Sequence, residues 1–153
     1  MITYQEIKNN ADIREYIRKA DESLVALGYT EHSFAHVCKV AQTAEYILKT
    51  LKFDEHEIEL VKIAAYLHDI GNLVNRKDHS QSGAVMAWSI LNDMKCDPAE
   101  MATIVTAIGN HDESTGGAKD PVSAALILAD KSDVRQNRVR TQDREKFDIH
   151  DRV

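Results

Sequence analysis

Seven histidines stand among 153 residues, and most fall beside an acid or at the end of an apolar helical run. The sharpest case is Tyr66-Leu67-His68-Asp69-Ile70-Gly71, where an aliphatic helix closes on His-Asp and Gly71 is expected to supply a left-handed C-cap. Neighbouring helix residues diverge by about 100°, but a fraying end relaxes that angle and lets both side chains face one pocket. The imidazole then offers a neutral nitrogen, and the carboxylate can bridge two metal ions. The bland reading is a histidine that caps its own helix end with help from the dipole. His36 continues the apolar face of Val37, Val40 and Ala44; alone it reads as a buried structural histidine. His32, one turn earlier, reads as an outer partner of the site, an extra ligand or a surface residue. Asp130 directly follows the aliphatic run Leu126 to Ala129, and a buried carboxylate needs a cation or several donors. Lys131 or Arg135 would be ordinary partners, and a metal is the sharper one. His79 opens a helix, where a protonated imidazole is disfavoured and a neutral ligand is favoured. His111-Asp112 ends the stripe Met101, Ile104, Val105, Ile108, and Glu113 to Gly117 reads as a mobile loop at the pocket rim.

These residues need helices to position them, and the pattern supplies about six, near 12–27, 31–51, 55–69, 80–93, 98–110 and 121–136, with a short one before the first. Apolar residues recur at helical spacing along Val37, Val40, Ala41, Ala44, Ile47, Leu48 and Leu51, and again along Ile58, Val61, Ala64, Ala65 and Leu67. Asp97-Pro98-Ala99-Glu100 reads as an N-cap followed by proline at the first helical position and glutamate at the third; Asp54 and Asp120-Pro121 repeat parts of that signal. No segment alternates over strand length. The expected fold class is all-α, a single domain over residues 1–136, with 137–153 as a polar C-terminal tail that could connect to a segment this chain lacks.

Bulk properties narrow the functions. The formal net charge is −6 and the pI near 5.6, which argues against general nucleic-acid or anionic-membrane binding. The two cysteines, Cys38 and Cys96, form no metal-binding or redox pair and fit a reducing compartment. Apolar runs are too short to span a bilayer, and the first residues lack a signal peptide's apolar stretch. A cytoplasmic location is expected.

His36-x-x-Lys39-Val40, then Leu67-His68-Asp69-Ile70-Gly71, then Ala129-Asp130 resembles the HD superfamily of metal-dependent phosphohydrolases, over roughly residues 30–136. The resemblance implies a helical bundle with a metal held by His36, His68, Asp69 and Asp130. Two-metal members add histidines between the His-Asp and the final Asp, and His79 and His111 fall where those are expected. Two ions are therefore expected, bridged by Asp69, with His36, His68 and Asp130 on one and His79 and His111 on the other. Ligands of imidazole and carboxylate without thiolate suit Fe, Mn, Zn, Ni or Co. Asn72 stands where many members carry Lys. The sequence His111-Asp112-Glu113 and the lack of a Gly-Tyr-Pro signature depart from the cyclic-dinucleotide phosphodiesterase branch.

The reading that follows is hydrolysis of a phosphoester, nucleotide-like or another small phosphorylated compound, by a metal-activated water between ions about 4 Å apart. Asp69, Asp112 and Glu113 are the candidate catalytic carboxylates; Arg76, Lys77, Lys131 and Arg135 are candidates to hold phosphate. Two rivals share the ligand pattern: an HD-type mixed-valence di-iron oxygenase, and a non-catalytic nucleotide- or metal-binding regulatory module. A homodimer is the common arrangement for such bundles.

Overall fold

The computed structural model describes residues 1–29, 34–112, 114 and 116–144, with side chains placed as far as residue 133. Among these residues every regular element is helical. Helix α1 (Tyr4–Asn9) starts at a capping box in which Thr3 and Glu6 satisfy each other's orphan backbone amides. Helix α2 (Ala11–Ala26) is capped by Asn10 and buries Ile13, Ile17, Ala20 and Leu24, a single stripe facing the core. Helix α3 (Phe34–Thr50) buries His36, Val37, Val40, Ala41, Ala44 and Leu48; its expected first residues, 31–33, lie outside the described residues.

Helix α4 (Glu55–Leu67) is the central rod. Asp54 accepts from Glu57 N to cap it, and from Ile58 onward nearly every side chain is buried, on all sides of the helix. That all-round burial follows from its neighbours: α1, α3, α6 and α7 all pack against it. Alanines 41 and 44 of α3 and 64 and 65 of α4 are buried to 1% exposure or less, and such small side chains let packed helices approach closely.

After α4 the chain makes a short 3-10 helix (Ile70–Leu73) that packs on both α2 and α5 (His79–Asp93). Helix α6 (Pro98–Gly109) begins at the expected Asp97 cap with proline in its first turn, and packs on α4 and α5. Helix α7 (Pro121–Arg144) runs back along α3, α4 and α6. Its start is held by a reciprocal pair: Ser123 N donates to Asp120 Oδ1 at 2.8 Å, and Ser123 Oγ accepts from Asp120 N at 3.0 Å.

Three expectations change. Helix α4 stops at Leu67, not 69, because Asp69 takes φ −101°, ψ 5°. Gly71 is not a left-handed cap, since among the described residues the positive-φ glycine is Gly28; the role of Gly71 is close approach, taken up below. Helix α7 continues to Arg144, past the expected end at 136, because its charged second half has helix-forming Arg and Gln but no apolar stripe for periodicity to detect. No helix among the described residues is long and apolar enough to cross a membrane.

Candidate metal centre

Five elements converge on one buried point. His36 comes from the first turn of α3, His68 from the end of α4, Asp69 from the residue after it, His79 from the start of α5, His111 from just beyond α6, and Asp130 from α7. The four histidines are 5% exposed or less, while the carboxylates of Asp69 and Asp130 are about one-fifth exposed. The imidazoles are sealed in protein, and solvent reaches the acids.

The side chains fall into two groups that share one carboxylate. In the first, Asp130 Oδ1 lies 3.2 Å from both His36 Nε2 and His68 Nε2, and Asp69 Oδ2 lies 3.3 Å from the same two nitrogens. In the second, His79 Nε2 and His111 Nε2 are 3.2 Å apart, and Asp69 Oδ1 lies 3.6 Å from each. Asp69 thus turns one oxygen to each group. The geometry brings together all six residues that the sequence put forward as ligands.

Every imidazole is oriented through its other nitrogen. His68 Nδ1 donates to Ala65 O at 2.6 Å, His79 Nδ1 to Arg76 O at 3.0 Å, and His111 Nδ1 to Ile108 O at 2.7 Å. Each acceptor lies three residues before its histidine and also takes that histidine's backbone N–H, at 3.5 Å for Ala65 O and 3.3 Å for Arg76 O and Ile108 O; two of them are carbonyls in the last turn of a helix, where a second acceptor site is left open. His36 Nδ1 instead meets Asp133 Oδ2 at 2.7 Å. All four Nε2 atoms therefore point at the acids and at each other, the arrangement in which outer partners fix the tautomer and raise ligand basicity.

Electrostatics separates the two groups. Burial opposes charge on His36, but hydrogen bonds to Asp130, Asp133 and Asp69 outweigh it and push its pKa up to about 12. His68 is likewise desolvated, yet Asp69 and Asp130 raise it to about 10. Asp69 and Asp130 are held well below the usual carboxylate range: burial works against this, and His68 and its neighbours overcome it. Without a metal, protons shared among these groups balance the first half of the cluster. His79 behaves differently, since burial lowers its pKa and the nearby Arg76 lowers it further. With Nδ1 hydrogens committed to backbone carbonyls, neutral His79 and His111 would oppose two lone pairs at 3.2 Å. Only a proton or a cation between them relieves that contact.

The donor set fits divalent ions. A metal bound tetrahedrally at about 2.0–2.2 Å holds adjacent ligand atoms about 3.3–3.6 Å apart, and the separations of 3.2–3.3 Å in the first group and 3.2–3.6 Å in the second lie at that range. Histidine with carboxylate suits first-row transition ions.

A family model for the HD domain matches residues 33–150. The chain belongs to the HD-domain family. An uncharacterized protein of Methanocaldococcus jannaschii is 30% identical over 96% of this chain; the chain spans 65% of that relative's length. The crystal structure of a predicted HD superfamily hydrolase from an uncultured Thermotogales bacterium superposes with a TM-score of 0.64 at 26% identity, covering 93% of this chain and 82% of the other. HD domains bind divalent metals, and the HD signature here is the His68-Asp69 pair at the junction of the two groups.

The remaining candidates are placed less centrally. Arg76 is half-buried: its guanidinium stacks over the Tyr29 ring at 5.4 Å and donates to Asn72 Oδ1 at 3.2 Å. Lys77 and Lys131 are solvent-exposed; Lys131 follows Asp130 on α7 and so turns about 100° from it. Asp112 is held ionised, because hydrogen bonds from Ser114 N and Oγ outweigh the effect of its partial burial. At neutral pH it therefore carries no proton to give. Glu113 and His32 lie outside the described residues, as does the Arg135 side chain.

Sequence reasoning missed two residues. Asp133 is buried and orients His36; its signal was the spacing of three from Asp130, which puts both on one face of α7, but it stood in the charged last turn of the expected helix, where an acid reads as solvated. Asn72 entered only as a departure from the family pattern. It is buried, and its Nδ2 donates to Asp69 O at 2.9 Å, fixing the backbone that carries the shared carboxylate.

Proposed function

We propose that this chain is a metal-dependent phosphohydrolase whose cluster holds two divalent ions, one by His36, His68 and Asp130, the other by His79 and His111, with Asp69 shared. The observation that supports two ions is the division of Asp69, whose two oxygens face two separate nitrogen pairs. Such ions supply Lewis-acid charge to a phosphoryl group and lower the pKa of water.

The protein's own residues do the rest. The Nδ1 anchors hold the imidazoles in one tautomer, so binding needs no reorganisation of the rings. Asp69 and Asp130 bring negative charge that offsets half of that of two divalent cations. The partial exposure of those carboxylates leaves the approach from solvent open, and on that side a small phosphorylated substrate would enter. Arg76, held by Asn72 and Tyr29, would be the cation that meets a phosphate beside His79. Asp112, just past His111, would be the carboxylate that takes up a proton.

The test is elemental analysis of gently purified protein together with phosphate release from a panel of phosphomonoesters and nucleotides under nitrogen. The proposal expects close to two ions per chain and anaerobic phosphate release that His111→Ala reduces at least 100-fold. Metal content near one ion would remove the second site. Full occupancy with turnover only in the presence of O₂ would assign the centre to an oxygenase, and full occupancy with no turnover to a binding module.

A further inference from the structure

Helices α5 and α6 turn an uncharged face to solvent. The short turn at 94–97 makes them antiparallel neighbours, and Gln81 at the start of α5 donates to Gly109 O at the end of α6 at 2.9 Å. From His79 to Asn92 and from Met101 to His111 the sequence holds no Asp, Glu, Lys or Arg. Glu100, the acid of α6, is buried against His56. Yet Val85 is 69% exposed and Trp88 51%, and at a spacing of three they stand on one side of α5. In the register that Gln81 and Gly109 set, Val85 is level with half-buried Val105 and Trp88 with exposed Ala102. Elsewhere exposed apolar side chains stand among charges, such as Tyr46 and Leu51 beside Glu45, Lys49 and Lys52. Scattered residues of that kind are ordinary surface, whereas a contiguous apolar face marks an interaction site.

We infer that a second copy of this chain docks on the α5–α6 face, in a two-fold dimer with Trp88 at its centre. Charge decides the occupant. Each chain carries a formal net charge of −6, so two copies repel where their charged helices meet. A face without ionised side chains is complementary to itself, and in an isologous contact it meets itself. A strongly basic partner would find no acid there to pair with. Tryptophan suits the centre of such a contact, because it joins a large apolar area to an indole N–H that can find an acceptor. Trp88 lies nine residues after His79 and so projects from the opposite side of α5. Docking there leaves the side of α5 that faces the metal cluster untouched.

Trp88 is the single tryptophan, so intrinsic fluorescence reports on this face alone. Light scattering of the purified full chain is expected to give twice the 17.2 kDa chain mass at high concentration. On dilution the mass should halve and the Trp88 emission move to the red, with one midpoint for both. Val85→Glu places a better helix former at an exposed position. Through the two-fold axis it also brings two like charges into the contact, and it should weaken the dimer about 100-fold or more. Ser89→Glu does the same from the neighbouring exposed position and serves if the first variant fails to fold. Both should keep the parental metal content, and Tyr46→Glu on α3 should keep the parental dimer affinity. A monomer at every concentration, a dimer that both α5 variants leave intact, or dissociation with no change in Trp88 emission would each overturn the inference. Emission that shifts only when a different protein is added would give the face to another partner and overturn it equally. None of these readouts depends on phosphate release, so the result stands apart from the hydrolase reading.

Discussion

Gly71→Ala adds one methyl group and is expected to disable half of the metal centre. A Cβ at residue 71 would lie 1.9 Å from the carbonyl oxygen of His79, 2.5 Å from Gly83 N and 2.7 Å from Ser82 Oγ, where ordinary contact begins at about 3.4 Å. The two nearest atoms are backbone, so no side-chain rotation relieves the clash. The start of α5 must retreat by about 1.5 Å, the difference between the shortest approach and ordinary contact. Overpacking a tight contact costs about 1–3 kcal/mol; with two backbone atoms in the way the upper end applies, and for a domain of this size about 3 kcal/mol lowers Tm by roughly 6–12 °C.

The displacement bears on the ligand itself, because the atom pushed hardest belongs to His79. Metal–ligand distances tolerate about 0.2 Å, far less than that retreat. The ion between His79 and His111 should be lost, while His36, His68 and Asp130, on α3, α4 and α7, retain theirs. Thermal melts followed by elemental analysis after dialysis against the native metal read both effects. Gly83→Ala is the control: its Cβ would come no closer than 3.2 Å to Gly71 N, and alanine favours a helix interior, so its Tm should stay near the parent's. A Gly71→Ala protein with parental Tm and parental ions per chain would refute the account of this glycine.

Further outcomes follow from the same geometry. Asp133→Asn should weaken metal binding about 10–100-fold by loosening His36 while leaving saturating stoichiometry unchanged; a competition titration with a fluorescent chelator measures it, and parental affinity would show that Asp133 does not orient the ligand. Metal-free protein should lose stability as pH rises from about 6.5, the unfolded histidine value, through about 10 for His68 and about 12 for His36. The sign follows because their folded pKa values are raised, so the contribution is complete below the unfolded value and fades above it. Melts in EDTA at pH 6.5 and 9 should show the lower Tm at pH 9, and the reverse order would contradict the ion pairs described. Asp112→Asn should lower kcat about 100-fold or more with metal content unchanged; a parental kcat would remove Asp112 from the chemistry.

Much of this was legible because each ligand interrupts a pattern. His36 sits on an apolar face, His68-Asp69 and His111 close apolar runs, and Asp130 follows four aliphatic residues, so polar groups stand where burial demands a partner. The caps at Asp54, Asp97 and Asp120 were equally plain, since capping is a local hydrogen-bond problem. What stayed hidden depends on packing between distant segments. Gly71 looks like a helix stop in one dimension, and only the arrival of α5 shows why a side chain cannot stand there. Asp133 begins a charged run, and nothing local distinguishes a carboxylate that orients His36 from one in solvent.

The segment from His68 to Asn72 shows how a short stretch of sequence builds a two-sided centre. Had the α-helix continued through Asp69, its carboxylate would have swung about 100° from His68. The chain leaves helical geometry at Asp69, so its oxygens reach both nitrogen groups while His68 stays anchored to Ala65 O. Asn72 then holds the Asp69 carbonyl from below, and Gly71 lets α5 close enough to present His79. Neither step works without the other: a carboxylate released from the helix but not held would be free to turn toward solvent, and an α5 kept at a distance would leave Asp69 Oδ1 facing His111 alone. The His-Asp pair therefore needs the two residues that follow Ile70 as much as its distant partners.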